Sequence, residues 1–379
     1  IGQEEMQSVA RVLESEFLGM GVQVAKFEEE LSSFFGRPAI CVSTGTAALQ
    51  LALQSVGVGH NDEVLVQSLT YLASFQAITA VGAIPVSCDV DPSTITLDLA
   101  DLESKITSKT KAIMPVHYGG GVGELDAIYE IAKKHSLRVI EDAAHAFGST
   151  SESRLIGSFG DIACFSFDGI KNITSGEGGC IVSSDLDLIA AASDARLLGV
   201  KKDSEKRARG LRTWSPEVDS QGWRYHMSDI MAAIGRVQLT KLDRFGQRRK
   251  SNLKRYKEQL SGASASVRLI DLSDEVIPHI MPCVLTCDVE RQSLLDMMKN
   301  AGIECGKHYF PNHRLAYFAG RSGHLEKTDS IAGKIFTLPM HVDLTDSEID
   351  YVCHVLLKSI QDLEARQIKK TVKVNPNKT

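Results

Sequence analysis

Short apolar runs alternate with amphipathic segments between Pro38 and Asp185. The runs have the length and composition of β-strands, and the segments between them space their apolar residues as a helix does. This alternation predicts a mainly parallel sheet covered by helices. The predicted strands are Ala39–Val42, Glu63–Gln67, Ile84–Cys88, Lys111–Val116, Arg138–Glu141, Ile162–Phe167 and Cys180–Ser183, and the predicted helices between them include Ala47–Val56, Leu72–Val81 and Leu125–His135.

Further patterns flank this region on both sides. They predict helices at Glu4–Glu16, Gln23–Phe35, Asp229–Leu260, Glu290–Asn300 and Ser347–Ala365, and a strand at Ile280–Leu285. We therefore expect a large domain over residues 1–235 and a smaller α+β domain over residues 236–379. The polar, basic segment from Lys369 to Thr379 is expected to be disordered.

The composition narrows the class of protein. The net charge of −6 gives no sign of a nucleic-acid partner. The eight cysteines form no CxxC pair and lie mostly in apolar runs, and no histidine cluster has zinc-site spacing. No apolar stretch reaches the ~20 residues that span a bilayer, and no signal peptide is visible. We expect a cytoplasmic protein with reduced thiols, without a bound metal and without a membrane partner.

Polar motifs follow the predicted strands at the edge where parallel strands end. Gly45 and Thr46 lie between a strand and a helix, where the free N–H groups of a helix N-terminus can bind an anion. The same residues are also typical of an ordinary helix cap. Asp142 follows the strand 138–141, where a buried carboxylate needs a partner such as a protonated ring nitrogen. The alternative is again a helix cap.

Two more residues extend this edge. Lys171 lies in a Gly-rich turn between two apolar strands. A lone lysine is usually a solvated surface charge, but desolvating neighbours let it lose its proton and attack a carbonyl. Tyr71 follows the strand 63–67, where it can stack on a flat ring or pack in the core. An anion site, an aromatic ring, a carboxylate and a lysine at one edge are together what pyridoxal 5′-phosphate requires.

Over nearly its whole length the chain resembles the DegT/DnrJ/EryC1/StrS family of sugar aminotransferases. The resemblance is carried by STGTAALQLAL, DEVLVQSLTYLASFQAITAVGAIPVSCDVDP, AIMPVHYGG, RVIEDAAHAFGS, GDIACFSFDGIKNITSGEGG, WRYHMSDIMAAIGRVQL and TLPMHVDLT. It implies the three-layer α/β fold of fold-type-I, aspartate-aminotransferase-like enzymes, with a smaller C-terminal α+β domain. It also implies pyridoxal phosphate as the cofactor, and a homodimer with its active sites at the subunit interface.

The resemblance also implies roles for single residues. Lys171 would hold the cofactor as a Schiff base, and Asp142 would pair with its pyridinium nitrogen. His145 would lie near the ring and its 3-hydroxyl, and Tyr71 would stack on the ring. The phosphate would be bound by Gly45, Thr46 and Ser166.

Two segments depart from the family pattern. Where the family has G-[YF]-N-Y-R-M, this chain places Arg224 at the Asn position and His226 at the Arg position. The Asn reaches the neighbouring subunit's phosphate, and a cation can still do so. The segment Gly306–His313 replaces a Y-x-P-L-H-type run near the sugar, so its His308, Tyr309 and His313 are candidate substrate contacts.

The implied reaction moves an amino group from glutamate to a nucleotide-activated keto-deoxysugar. A 4-keto-6-deoxyhexose is favoured and the 3-keto isomer comes next. Transamination of a non-sugar, cyclitol-type ketone is an alternative, and so is a cofactor-binding sensory or regulatory protein without turnover. Lys171 argues against a dehydratase of the same family, in which a histidine replaces this lysine.

Overall fold

The computed structural model describes residues 1–211, 213–320 and 323–374, with side chains as far as residue 368. A seven-stranded sheet forms the centre of the fold, in the order β1-β7-β6-β5-β4-β2-β3. Its strands are β1 Ala39–Val42, β2 Glu63–Gln67, β3 Ile84–Cys88, β4 Thr110–Met114, β5 Arg138–Asp142, β6 Ile162–Ser166 and β7 Gly179–Ser183. Only β7 runs antiparallel to its neighbours. The predicted, mostly parallel α/β sheet is therefore confirmed.

Thirteen helices are present in the described part of the chain. In chain order they are α1 Gln3–Glu14, α2 Val22–Phe35, α3 Gly45–Ser55, α4 Leu72–Ala80, α5 Leu99–Ser104, α6 Leu125–His135, α7 Leu186–Ala195, α8 Asp203–Ala208, α9 Asp229–Thr240, α10 Leu242–Leu260, α11 Arg291–Asn300, α12 Glu326–Ala332 and α13 Asp346–Val374.

Helices cover both faces of the central sheet because its strands are apolar on both sides. On β1, Ile40 and Val42 pack into one cluster with α3, α4 and α7, whereas Ala39 and Cys41 pack into a second cluster with α2 and α9. A third cluster joins α6 to Leu65 and Val139 of the same sheet. The result is a three-layer α/β/α sandwich.

A smaller antiparallel sheet follows in the C-terminal part of the chain. Its strands are β8 Val267–Leu269, β9 Met281–Leu285 and β10 Ile335–Leu338, with β9 in the middle. One apolar cluster joins this sheet to α10, α11 and α13. The predicted domain boundary after residue 235 falls inside α9, which packs on α1 and α2. The division into domains at that residue stays a prediction.

The structure corrects two predicted helices. The helix predicted over Asp229–Leu260 is two helices, because the chain turns at Lys241, the C-cap of α9. The helix predicted to end at Ala365 continues to Val374, into the segment that we expected to be disordered. The remaining residues of that expected tail, 375–379, lie outside the described residues.

The crossovers bring the carboxyl ends of β1, β2, β5 and β6 to one edge of the central sheet. Ser43, Ser68, Asp142 and Ser166 stand at or directly after these ends. In α/β proteins ligands bind at this edge. None of the described helices is both long and apolar enough to cross a membrane.

Candidate active site

A cavity of about 370 Å³ opens at the carboxyl edge of the central sheet. It collects side chains from the ends of β1, β2, β5 and β6, together with the segment that precedes α12. Among its lining residues are nine of the predicted site residues: Gly45, Thr46, Tyr71, Asp142, His145, Ser166, Lys171, His308 and Tyr309. The sheet edge therefore brings together groups that are up to 264 positions apart in the sequence (from Gly45 to Tyr309).

Asp142 ends β5 with its side chain buried. Its Oδ2 accepts a hydrogen bond from the Ser74 hydroxyl at 2.6 Å, and its Oδ1 accepts one from the Ala144 N–H at 3.3 Å. Both donors are neutral, so they orient the carboxylate without cancelling its charge. The negative charge is left to act on whatever occupies the cavity.

Lys171 lies in the loop between β6 and β7, and its amine is largely buried. Burial lowers its pKa below the usual value for lysine, although Asp142 and Asp168 act in the opposite direction. The loop is held by the buried Asn172, whose Nδ2 donates to the carbonyls of Phe147 and Ile277, at 3.2 Å each. Lys171 thus lies on a loop that is held by hydrogen bonds, and its amine loses its proton more easily than that of a surface lysine.

The N-terminus of α3 forms a cradle against β6. Thr44 caps the helix by accepting the Ala47 N–H at 3.0 Å, which leaves the N–H groups of Gly45 and Thr46 at the first turn. A Cβ built on Gly45 would lie 2.8 Å from the Cβ of Ser166. Glycine is therefore needed here so that the helix can approach Ser166 and leave its amides open to an anion.

His145 is buried at the floor of the cavity. Its Nδ1 accepts the Gly119 N–H at 3.3 Å, and its Nε2 lies 3.1 Å from the Tyr309 hydroxyl. Its ring centroid is 4.4 Å from that of His279. Burial, followed by the positive charge of Lys171, lowers the pKa of His145 well below its usual value. His145 is therefore neutral at physiological pH.

Aromatic rings border the mouth of the cavity. The exposed ring of Tyr71 lies 5.6 Å from the ring of Tyr309, measured between centroids. His308 precedes Tyr309, and its Nδ1 lies 2.8 Å from the Thr337 hydroxyl. Burial, and then Lys171, lower the pKa of His308. The rings of Tyr71, His308 and Tyr309 thus form part of the cavity lining.

Three predicted site residues lie elsewhere. His313 hydrogen-bonds through Nδ1 to the Ser68 hydroxyl at 2.7 Å and pairs through Nε2 with Asp329 at 3.2 Å. Arg224 and His226 line a separate recess of about 330 Å³ that also contains Arg207. A single chain therefore does not bring Arg224, His226 or His313 to the cavity of Lys171.

Sequence reasoning missed several residues of the site. Ser74 stands three positions after Tyr71 in the same family motif, at the start of α4, and this position was the signal for it. Asp168 and Glu177 line the cavity within the same Gly-rich segment as Lys171. Gly119 lies within AIMPVHYGG, but that motif predicted no role for it, and His279 comes from a segment that carried no motif. Among the described residues, no group of three or more His, Cys, Asp or Glu side chains is placed to hold a metal ion.

Comparison with known proteins identifies the family. The DegT/DnrJ/EryC1/StrS aminotransferase family matches residues 1–357. The chain belongs to this family. It is 34% identical to the spore coat polysaccharide biosynthesis protein SpsC of Bacillus subtilis (strain 168), over 96% of this chain and 95% of that protein.

Solved structures agree with this assignment. The aminotransferase TlmJ from Streptoalloteichus hindustanus superimposes with a TM-score of 0.88 at 30% identity, over 96% of this chain and 98% of that one. The sugar aminotransferase CalS13 from Micromonospora echinospora gives a TM-score of 0.86 at 28% identity, over 94% of this chain and 97% of that one. The predicted fold type is confirmed.

The aminotransferases of this family use pyridoxal phosphate, and this protein is a pyridoxal-phosphate-dependent enzyme. The cavity fits that cofactor. It offers an anion cradle at Gly45 that a larger residue would fill, a buried carboxylate and a lysine with a lowered pKa. The alternative of a sensory or regulatory protein without turnover is therefore not favoured.

Substituting Gly45 tests the cradle. We expect Gly45→Ala to weaken binding of pyridoxal phosphate by about tenfold or more, because the new methyl group would displace Ser166 or the first turn of α3. The measurement is a spectrophotometric titration of the apoenzyme with the cofactor. Gly59→Ala is the matched control, because a Cβ there meets no atom within 4 Å. Equal affinity in both variants would contradict this account of the cradle.

Proposed function

We propose that this enzyme is a sugar aminotransferase. It moves the amino group of glutamate to a nucleotide-activated keto-deoxysugar, with a 4-keto-6-deoxyhexose favoured and its 3-keto isomer next. The observation that carries the proposal is the placement of Lys171 and Asp142 in one cavity, the lysine with a lowered pKa and the carboxylate held by Ser74.

Lys171 is proposed as the residue that holds the cofactor covalently. Its amine must be neutral to attack an aldehyde, and burial favours the neutral form. Once displaced by the incoming amino donor, the same amine takes the proton from the donor's Cα. Asn172 holds the loop in place, so the amine stays in position through both steps.

Asp142 is proposed to keep the ring nitrogen of the cofactor protonated. The hydrogen bonds that this carboxylate accepts from Ser74 and Ala144 fix its orientation. When bound, the cofactor supplies a protonated aromatic ring that withdraws electrons from the bond to be broken. Gly45, Thr46 and Ser166 would hold its phosphate, and Tyr71 would cover the ring.

The charges of the cavity support a homodimer in which a second copy completes the site. Lys171 is the one lysine or arginine among the described lining residues, which also include Asp142, Asp168 and Glu177. A phosphate in this cavity therefore needs a further cation. Arg224 and His226 lie near the surface in a recess of their own, and we propose that they reach the partner's phosphate.

Two observations support a sugar as the acceptor: the names of related proteins and the volume of the cavities. SpsC is named for polysaccharide biosynthesis, and CalS13 is a sugar aminotransferase. A second cavity of about 680 Å³ adjoins the first and shares Ile170 and His308 with it. Together the two cavities have room for an acceptor much larger than an amino acid.

Removing the lysine tests its role directly. We expect Lys171→Ala to retain bound cofactor but to lose turnover by several orders of magnitude. The substitution removes both the covalent attachment of the cofactor and the amine that carries the proton. Asp142→Ala should lower the rate far more than it lowers folding stability. Cofactor absorbance, transamination rate and thermal unfolding are the measurements, with the exposed Lys133→Ala as the control. An active Lys171→Ala enzyme would refute the assignment.

A substrate screen tests the acceptor. The enzyme is first converted to its amine form with L-glutamate, and 2-oxoglutarate is measured as the product of this half-reaction. Nucleotide-linked 4-keto and 3-keto deoxyhexoses and a cyclitol ketone are then added separately. We expect the original absorbance to return fastest with a 4-keto sugar, since only a true acceptor takes the amino group. A faster return with the cyclitol ketone would overturn the sugar proposal.

Subunit mixing tests the contribution of the second copy. Lys171→Ala and Arg224→Ala enzymes, each of low activity, are unfolded and refolded together. If Arg224 acts on the partner's site, half of the dimers regain one intact site, and activity rises to about a quarter of the wild-type value. Mixing Lys171→Ala with Asp142→Asn is the control, because both residues line the cavity of one chain and no intact site can form. No gain with Arg224→Ala would place its action within its own chain.

A further inference from the structure

The hydrogen bonds of His145 determine where its proton lies. Its Nδ1 accepts the Gly119 N–H at 3.3 Å, and a ring nitrogen that accepts an N–H carries no proton of its own. Because the buried ring is neutral, its single N–H must be on Nε2. The backbone of Gly119 therefore selects the tautomer.

This tautomer sets the direction of the Tyr309 hydroxyl. His145 Nε2–H donates to the Tyr309 oxygen at 3.1 Å, so that oxygen is an acceptor and keeps its own proton for another partner. No described residue accepts a hydrogen bond from this O–H group. Tyr309 lines the same cavity as Lys171 and Asp142, so its proton is available to a ligand there.

The turn at Tyr118–Gly120 holds both members of this pair. Gly119 positions His145 through its N–H, while its carbonyl accepts the His279 N–H at 3.0 Å. The Tyr118 hydroxyl donates to the carbonyl of His308, the residue directly before Tyr309. Tyr309 is thus held at two points: the carbonyl of the preceding residue accepts a hydrogen bond from Tyr118, and its own hydroxyl is bound by His145. A preorganised donor needs such support.

We propose that Tyr309 is a catalytic hydrogen-bond donor to the oxygen of the substrate carbonyl, in the step in which that oxygen is lost or gained as water. The proposal rests on the proposed amino transfer and assigns Tyr309 a role beyond substrate contact. The phenol keeps its proton throughout.

The chemistry requires such a donor. Amino transfer replaces a C=O group by a C=N bond: the amino nitrogen bonds to the carbon, the C–O bond breaks, and the oxygen leaves as water with the two hydrogens of the amino group. The reverse addition of water releases the 2-oxoacid, and in both directions the oxygen carries partial negative charge while its bonding to carbon changes. A neutral donor aimed at that oxygen stabilises the charge. Burial, followed by the negative charge of Asp142, raises the pKa of Tyr309 above its usual range. The phenol is therefore a donor at physiological pH and does not act as a base.

Tyr309→Phe separates this role from a packing role, because it keeps the ring and removes the hydroxyl. Exchange of the donor's Cα proton with solvent deuterium depends on Lys171 and involves no carbonyl oxygen. Release of the 2-oxoacid does involve that oxygen. With L-glutamate in D₂O, we expect exchange to stay within about threefold of wild type and oxoacid release to fall by about 10²–10³.

Each outcome has a distinct meaning. Release at the wild-type rate, or equal losses in exchange and release, would overturn the role of Tyr309. Absence of exchange in the wild-type enzyme, with both L-glutamate and L-glutamine, would instead count against the proposed function. The exposed Tyr317→Phe is the matched control and should leave both rates unchanged.

The tautomer is tested without turnover. In enzyme labelled with ¹⁵N-histidine, the His145 signals are those that disappear in His145→Gln. We expect the proton to be on Nε2, in the apoenzyme and with cofactor bound, and a proton on Nδ1 would overturn the proposal.

Discussion

The burial of a carboxylate and an amine in one cavity is the constraint on which the site depends. A charge taken out of water costs several kcal/mol unless it is paired or hydrogen-bonded. Asp142 meets this cost with the hydrogen bonds that it accepts from Ser74 and Ala144. Lys171 meets it differently, through a lowered pKa that favours the neutral amine. One site thus presents a fixed negative charge and a nucleophile, and the sheet edge, the glycine cradle and the loops serve to place them.

Much of the fold could be predicted from the sequence because the central strands are apolar on both faces. Runs such as Glu63–Gln67 and Ile84–Cys88 are bounded by turn residues, and the structure reproduces their bounds. The C-terminal part was harder. β8 has three residues, too few for a periodic pattern, and the break at Lys241 lies in a stretch that is helical on either side.

The candidate site likewise contains residues that the sequence predicted and residues that only the folded structure revealed. Lys171 and Asp142 follow strands whose ends meet at one edge, so strand prediction alone brought them together. Ser74, Gly119 and His279 contribute through hydrogen bonds and ring contacts that only the folded backbone creates. His313 was predicted from its position near Tyr309 in the sequence, and within one chain it is engaged by Ser68 and Asp329, so its contact with substrate stays a prediction. Arg224 and His226 lie in a recess of their own, and the role proposed for them needs a second chain.

Asn172 links the loop of Lys171 to the rest of the molecule. Its side chain donates both to Phe147, beside the central sheet, and to Ile277, on the segment that leads into β9. The loop is therefore held between the central sheet and the segment that enters the three-stranded sheet. Where the amine stands depends on how these two parts of the molecule pack against each other, as well as on the loop that carries it.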